Sequence, residues 1–513
     1  MAEKTAEIEK VGWVLELAVF VCGAVVMIYE INGSRIVAPY IGTSTYVWTS
    51  LIGVILGALS LGYWLGGRSA DRAPSVKVLS GAIFAAAGLI SVTILIQEVV
   101  LAGINTMPVG LEIQSVLAAL LLFAPASVAL GFVIPYASKL RLSSLEETGG
   151  TVGRLYALST VGSIVGTFSA GFVLIPFLGS VRTMYMIAAT LFVISILLGG
   201  LSFDRVKFGI ITLFILAMAG SEASRWVLRT QANLHDFDTR YSRVRVFDME
   251  DPRTGRMMRA MATDPLYIQS AKYLDGDDLA LDYTRFYHLV ERYNPKHRRS
   301  LMIGGAGFSF PQAYLRDYPQ TRLDVVEIDP KMTKIAESFF GLSPDPRLTI
   351  VHKDGRIFLN HAAPASYDAI FMDAFGSLFS VPYQLTTIEA VRQMHRVLND
   401  NGVVIFNIGT AIDGPASLFL QAELSTYEAV FDEVHKYKVH LETDDAKLQN
   451  VILVACKTGC SSDLRRMEST ADSSFVEHLL DRRDDRPVVR TVPVLTDDHA
   501  PVERYGSIAH AYR

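Results

Sequence analysis

Ser300-Leu301-Met302-Ile303-Gly304-Gly305-Ala306-Gly307 is the stretch that decides the fold of the C-terminal half. A short apolar run leads straight into a glycine-rich turn, and a helical pattern follows over 310–317. A second apolar run, 322–328, closes on Glu327-Ile328-Asp329. The order is strand, glycine turn, helix, strand, acid. Glycines let the backbone approach a ligand, and an acid about 20 residues further on is placed to bind ribose hydroxyls. A glycine turn alone is weak evidence, because many such turns hold glycine for steric reasons. The next apolar runs strengthen it. The run 348–351 ends at Asp354-Gly355, 367–372 ends at Asp373, and 403–407 supplies a fifth strand. Ligands of open α/β sheets bind at the carboxyl ends of the strands, where these acids fall.

Upstream, 240–262 alternates in strand fashion around an Arg253-Thr254-Gly255-Arg256 turn, which predicts a β-hairpin, and a helix is expected around 283–293. The predicted organisation is a transmembrane helical domain over 1–224, a β-rich part of the soluble domain over 225–298, and a Rossmann-like, class I methyltransferase-type parallel sheet over 299–513.

Composition locates the rest. Of 513 residues half are hydrophobic and only 19% charged, with a mean hydropathy of +0.30. The apolar excess lies before Arg225. Six runs are long enough to span a bilayer, which takes about 20 helical residues: 11–31, 46–66, 78–101, 113–137, 155–178 and 184–201. A seventh, 208–221, is shorter and reads as a thin span or an interfacial helix. Arg68, Arg72 and Lys77, then Lys139, Arg141 and Arg154, then Arg205 and Lys207 fill alternate loops, while the others hold only Arg35 and Arg182. Basic loops stay in the cytoplasm, so the N-terminus is expected inside the cell. Gly162, Gly166 and Ala170, spaced by four, predict a close helix contact. Glu16, Glu30 and Glu98 are acids in or beside apolar runs; for Glu30, pairing with Arg35 and a substrate contact both stay open. Gly66-Gly67-Arg68-Ser69-Ala70-Asp71-Arg72 resembles the cytoplasmic loop of major-facilitator transporters, though half the usual spans are present.

The net charge of −5 gives no reason to expect a nucleic-acid partner. Residues 1–10 mix acids and bases, unlike a secretory signal. Cys22, Cys456 and Cys460 form no disulfide framework; the last two read as ordinary thiols, and no metal site is expected.

Taken together, the soluble half resembles the spermidine synthases (polyamine aminopropyltransferases), in particular their membrane-fused bacterial relatives. The likeness covers 239–505 and rests on Tyr287-His288, the 303–307 turn, Val326-Glu327-Ile328-Asp329, Asp354-Gly355-Arg356 and Asp373-Ala374-Phe375-Gly376. Pro382-Tyr383-Gln384-Leu385-Thr386-Thr387 and Thr496-Asp497-Asp498-His499-Ala500-Pro501-Val502 add to it. The resemblance implies an S-adenosylmethionine or decarboxylated S-adenosylmethionine donor and a small amine acceptor. Glu327 would hold the donor ribose, and Asp354, with Gly355, would take the adenine amino group. Gly304, Gly305 and Gly307 would line the sulfonium side. Gln269 and Tyr287 would line the pocket, and Asp373 would be the general base. Asp373 also suits a helix N-cap.

Three departures stand out. Gly307 replaces an Asp of the glycine turn, Gly376-Ser377 replaces a second acid, and Leu289 replaces a Glu. Fewer carboxylates hold a polycation less well and tolerate the carboxylate of the intact donor. Methyl transfer, donor cleavage and a nucleoside-gated transporter or sensor are the alternatives. Because the donor is cytosolic, six spans with an interfacial or re-entrant seventh are expected, anchoring the chain in the lipid bilayer of the cell membrane with the soluble half inside. The acidic cluster Asp275, Asp277, Asp278 and Asp282 reads as a solvated loop; homo-oligomerisation is left open.

Overall fold

The computed structural model describes residues 2–72, 74–107, 109–141, 148–200, 205–231, 233–263, 267–374, 381–458 and 474–512. They form two compact units, Met1–Ala232 with Asp236–Arg243, and Asn233–His235 with Val244–Arg513.

The first unit is helical: α1 Ala2–Ile41, α2 Thr45–Arg72, α3 Val76–Asn105, α4 Leu111–Leu122, α5 Ala124–Gly131, α6 Val133–Arg141, α7 Thr148–Ser169, α8 Ile175–Leu178, α9 Ser180–Gly199 and α10 Arg205–Gln231. Among the described residues, six helices are long and apolar enough to cross a membrane. The pair Leu111–Leu122 and Ala124–Arg141, bent by 51°, makes up to seven. Large apolar side chains such as Phe172, Phe177, Phe208 and Trp226 are exposed, which suits a lipid surround and not water. Small residues join the helices. A Cβ added to Gly162 would lie 2.0 Å from the Phe20 carbonyl oxygen, and one on Gly166 2.3 Å from that of Ala24, so α1 and α7 touch backbone to backbone. Glu16, half-buried on α1, is met by Arg154 at 2.8 Å.

The run 208–221, expected to be an interfacial or re-entrant segment, belongs to a longer helix. It is the middle of α10, and Arg205–Ala223 passes the same length and composition test as the other spans. Ile210 fills the space beside Gly88, Phe214 meets Phe192 edge-on at 5.5 Å, and Tyr185 Oη donates to the Ala217 carbonyl at 3.3 Å. Arg182 pairs with Glu222 at 3.6 Å. As α10 advances, its partners step back along α9, so the two helices run antiparallel over their lengths. The apolar core of the sequence run is short because polar residues at its ends contact other helices.

The second unit opens with β1 Arg243–Glu250, β2 Met257–Ala262 and β3 Ser270–Tyr273, paired antiparallel in succession. The β1–β2 turn uses Gly255 at φ 70°, the left-handed conformation that glycine adopts at little cost. The predicted helix near 283–293 is broken into Asp282–Arg285, a 3₁₀ turn Phe286–Leu289 and Val290–Tyr293. The main sheet comprises β4 Arg299–Ile303, β5 Arg322–Val326, β6 Leu348–Val351, β7 Tyr367–Met372, β8 Leu398–Thr410, β9 Glu433–Lys438 and β10 Gln449–Cys456. Its order is β9-β10-β8-β7-β4-β5-β6; β4–β8 are parallel and β9 and β10 antiparallel. Apolar side chains bury both faces, with Phe310, Tyr314 and Phe371 on one and Ile370, Val391 and Phe406 on the other. That explains the near-continuous apolar runs of the central strands.

Cys456, the last residue of β10, is disulfide-bonded, whereas Cys22 is free. This corrects the reading of Cys456 as an ordinary thiol; Cys460 lies outside the described residues. The acidic cluster is paired: Arg256 meets Asp275 at 2.6 Å and Asp278 at 3.0 Å, and Arg253 meets Asp282 at 2.9 Å.

Candidate active site

β4 and β7 are neighbours at the point where strand order reverses, so a crevice opens at their carboxyl ends. Gly304 follows β4 at φ 95°, and an added Cβ would lie 2.2 Å from the carbonyl oxygen of Asp373, which follows β7. Glycine is required there on both counts. The turn continues through Ala306 and Phe308, at φ 44° and 56°, and the fully buried Phe308 ring occupies the space beside Gly305. Glu327 reaches back to this turn. Its Oε2 accepts from the Gly305 and Ala306 amides at 2.9 and 3.2 Å, and its Oε1 from the Asp329 amide at 2.9 Å. Burial raises the Glu327 pKa, and these three amide donors oppose the rise.

Asp373 is the best-supported acid. Tyr283 Oη donates to its Oδ2 at 3.1 Å, and Asn407 Nδ2 donates to its Oδ1 at 3.4 Å. Asn450 Nδ2 in turn donates to Asn407 Oδ1 at 2.9 Å. With its oxygen so engaged, the Asn407 amide presents its NH₂ end to Asp373. Burial pushes the Asp373 carboxyl up to about 6, and the hydrogen bonds from Asn407, Tyr283 and Tyr287 hold it from rising further. Burial and the Asp373 charge raise both tyrosines well above the usual phenol range, so they remain protonated donors. A carboxyl near 6 is ionised at neutral pH yet basic enough to take a proton.

A small cavity lies here, lined by Gln269, Tyr283, Gly304, Gly305, Ala306 and Asp373 among others. Gln269 Oε1 accepts from the Thr263 amide at 2.6 Å. Tyr287 is fully buried behind Asp373, its ring 4.8 Å from that of Phe310 and tilted by 58°, with its hydroxyl 3.5 Å from the Met372 carbonyl. Gly307 packs on Ser270: an added Cβ would lie 2.6 Å from Ser270 Oγ. Asp354 caps the helix Gly355–His361 through the Ile357 amide at 2.9 Å, and a Cβ on Gly355 would lie 2.7 Å from Ile303 Cγ2. The turn, Glu327 and Asp373 thus share one edge, with Asp354 two strands away at the end of β6. Leu289 is fully buried in the core, and Phe375, Gly376 and Ser377 lie outside the described residues. Among the described residues no group of His, Cys, Asp and Glu is arranged to hold a metal ion.

Three site residues escaped the sequence reading. Tyr283 lies one helical turn before Tyr287, and Asn407 is a polar residue ending a core strand; those were the available signals. Asn450 had none, because its role depends on β10 pairing with β8. Three of the quoted motifs also meet. Arg356 forms a two-pronged bond to Asp497 at 2.7 and 3.2 Å, and Thr387 Oγ1 donates to the same carboxylate at 2.6 Å. These motif residues brace the loop after β6 against the C-terminal segment.

The strand order and the glycine turn define a class I methyltransferase-like fold with its pocket at the switch point. Within that class, residues 283–443 match the spermine/spermidine synthase domain. A polyamine aminopropyltransferase of Vibrio vulnificus is 28% identical over 223 residues, 43% of this chain and 72% of that protein. One from Corynebacterium efficiens is 24% identical over 479 residues and covers 86% of each chain, so that alignment extends through the helical half. A crystal structure of a probable spermidine synthase from Corynebacterium glutamicum aligns at 21% identity with a TM-score of 0.40, over 48% of this chain and 86% of that one.

Proposed function

We propose that the soluble unit moves an aminopropyl or related alkyl group from a decarboxylated or intact S-adenosylmethionine donor to an amine, releasing methylthioadenosine. The observation that carries this reading is Asp373: a raised carboxyl beside the glycine turn, held by a tyrosine and an amide. An ammonium acceptor binds as an ion pair and gives Asp373 its proton. The freed nitrogen lone pair then attacks the carbon next to the sulfonium. The C–N bond forms as the C–S bond breaks, and the bond electrons neutralise the sulfur. The sulfonium is already an activated leaving group, so alignment is the protein's main contribution. Glu327 would hold the ribose while ordering the turn; Asp354 and Gly355 would bound the adenine side, with Gln269 and Tyr287 supporting the pocket.

Gly307, packed on Ser270, and the buried Leu289 stand where the resemblance calls for amine-binding acids. This supports a donor arm that is not a bare ammonium, or an acceptor smaller than a polyamine. The test is product analysis by mass spectrometry, with purified full-length protein, each donor in turn and a membrane extract as the amine source. Methylthioadenosine from at least one donor is expected, and its absence with both, or S-adenosylhomocysteine in its place, removes the proposal.

A further inference from the structure

We infer that in the membrane the soluble unit stands on the non-cytoplasmic face. The inference rests on the membrane reading of the helical unit and is independent of the transfer chemistry.

The first line is the path of the chain. Most of the basic residues of the connections between helices gather at one end of the helical unit, with Arg35 and Arg182 on helices at the other. Lys139 pairs with Asp71 at 3.0 Å, Arg141 and Arg154 approach Glu16 near the start of α1, and Lys207 lies 6.0 Å over the Phe84 ring near the start of α3. Arg68, Arg72, Lys77 and Arg205 belong to the same connections. The opposite connections, 42–44, 106–110 and Gly179, contain no Lys or Arg. Basic connections remain in the cytoplasm during insertion. α10 begins at the basic end and runs the length of α9 to the other, where Glu222 meets Arg182. The next segment of chain is fastened there. Asp238 accepts from the Ser180 amide at 2.8 Å and from its hydroxyl at 2.9 Å, capping α9; Asn32 Nδ2 donates to the Ser180 carbonyl at 2.9 Å, and Arg35 donates to the Arg240 carbonyl. The bent pair Leu111–Leu122 and Ala124–Arg141, whose Lys139 returns to Asp71 at the end of α2, counts as one span and makes seven crossings; an odd number puts the two ends of the helical unit on opposite faces, and Val244 follows directly from this fastening.

The second line is Cys456. Its sulfur is in a disulfide, and disulfides persist outside the cytosol, where thiols are kept reduced. Neither observation depends on the other. A sulfonium donor made in the cytosol must then be carried across the membrane before this unit can use it.

The full-length chain is fused after Arg513 to bacterial alkaline phosphatase, active only after export, and separately to green fluorescent protein, fluorescent when it folds in the cytoplasm. An active phosphatase and a dark fluorescent protein are expected; the reverse pattern overturns the inference. If a fusion fails to accumulate, the unfused chain with a short C-terminal epitope decides. External protease on spheroplasts is expected to remove the epitope, and its protection until the membrane is lysed overturns the placement. Both readouts are silent on catalysis, so failure here and failure of the product assay are told apart.

Discussion

In the proposed reaction Asp373 concentrates the chemistry in one side chain, and its neighbours set when it works. Asp373→Asn keeps the shape and removes the base. Turnover is expected to fall by about 10²–10⁴-fold, with donor affinity, read by calorimetry, changed little. Only the ionised carboxylate accepts a proton, so the rate should fall as pH drops through about 6. The Asn407 bond favours the ionised form, so Asn407→Leu raises the pKa and moves that acid limb to higher pH. A hydrogen bond to a charged group contributes about 1.5 kcal/mol, which sets the move at up to about one unit. Asn450→Ala, which frees the Asn407 amide to turn, shifts the limb the same way by less. Profiles of kcat/KM against pH measure all three; an unmoved limb in Asn407→Leu means the amide does not act on Asp373.

At the scale of elements, glycines are placed where backbones meet. Gly304→Ala adds a Cβ 2.2 Å from the Asp373 carbonyl at a φ of 95°. Two costs combine, and a loss of at least about 1–3 kcal/mol is expected, seen as a lower Tm together with lost turnover. Gly307→Asp does not restore an amine-binding acid, because Ser270 occupies the space; it lowers Tm, and Ser270→Gly in the same chain recovers part of the loss. In the helical unit, Gly162→Leu with Gly166→Leu forces α1 from α7. The variant is expected to lose its folded, monodisperse form in detergent by size-exclusion chromatography.

At the scale of the whole chain, an apolar helical unit and a polar catalytic unit are joined in one polypeptide. Among the described residues, exposed large apolar side chains such as Phe172, Phe177 and Phe208 crowd the helices and are sparser in the second unit. The full-length protein is therefore expected to stay in the membrane fraction through an alkaline carbonate wash, with immunoblotting of pellet and supernatant as the measurement; release into the supernatant contradicts a membrane-spanning unit.

Local pattern alone determined a good deal. Apolar runs marked the spans and core strands because burial on all sides leaves no polar period, and the glycine turn and the acid beyond it lie close together in the chain. Glu327, Gly304 and Asp373 were legible because each ends a strand, and strand ends converge by topology. The tertiary structure decided what depends on distant partners. Tyr283 and Asn407 reach Asp373 only once β4, β7 and β8 are in register, and Asn450 only through the antiparallel β10. The length of α10 was hidden because a window of hydropathy sees the apolar middle of a helix and not the helices that contact its polar ends.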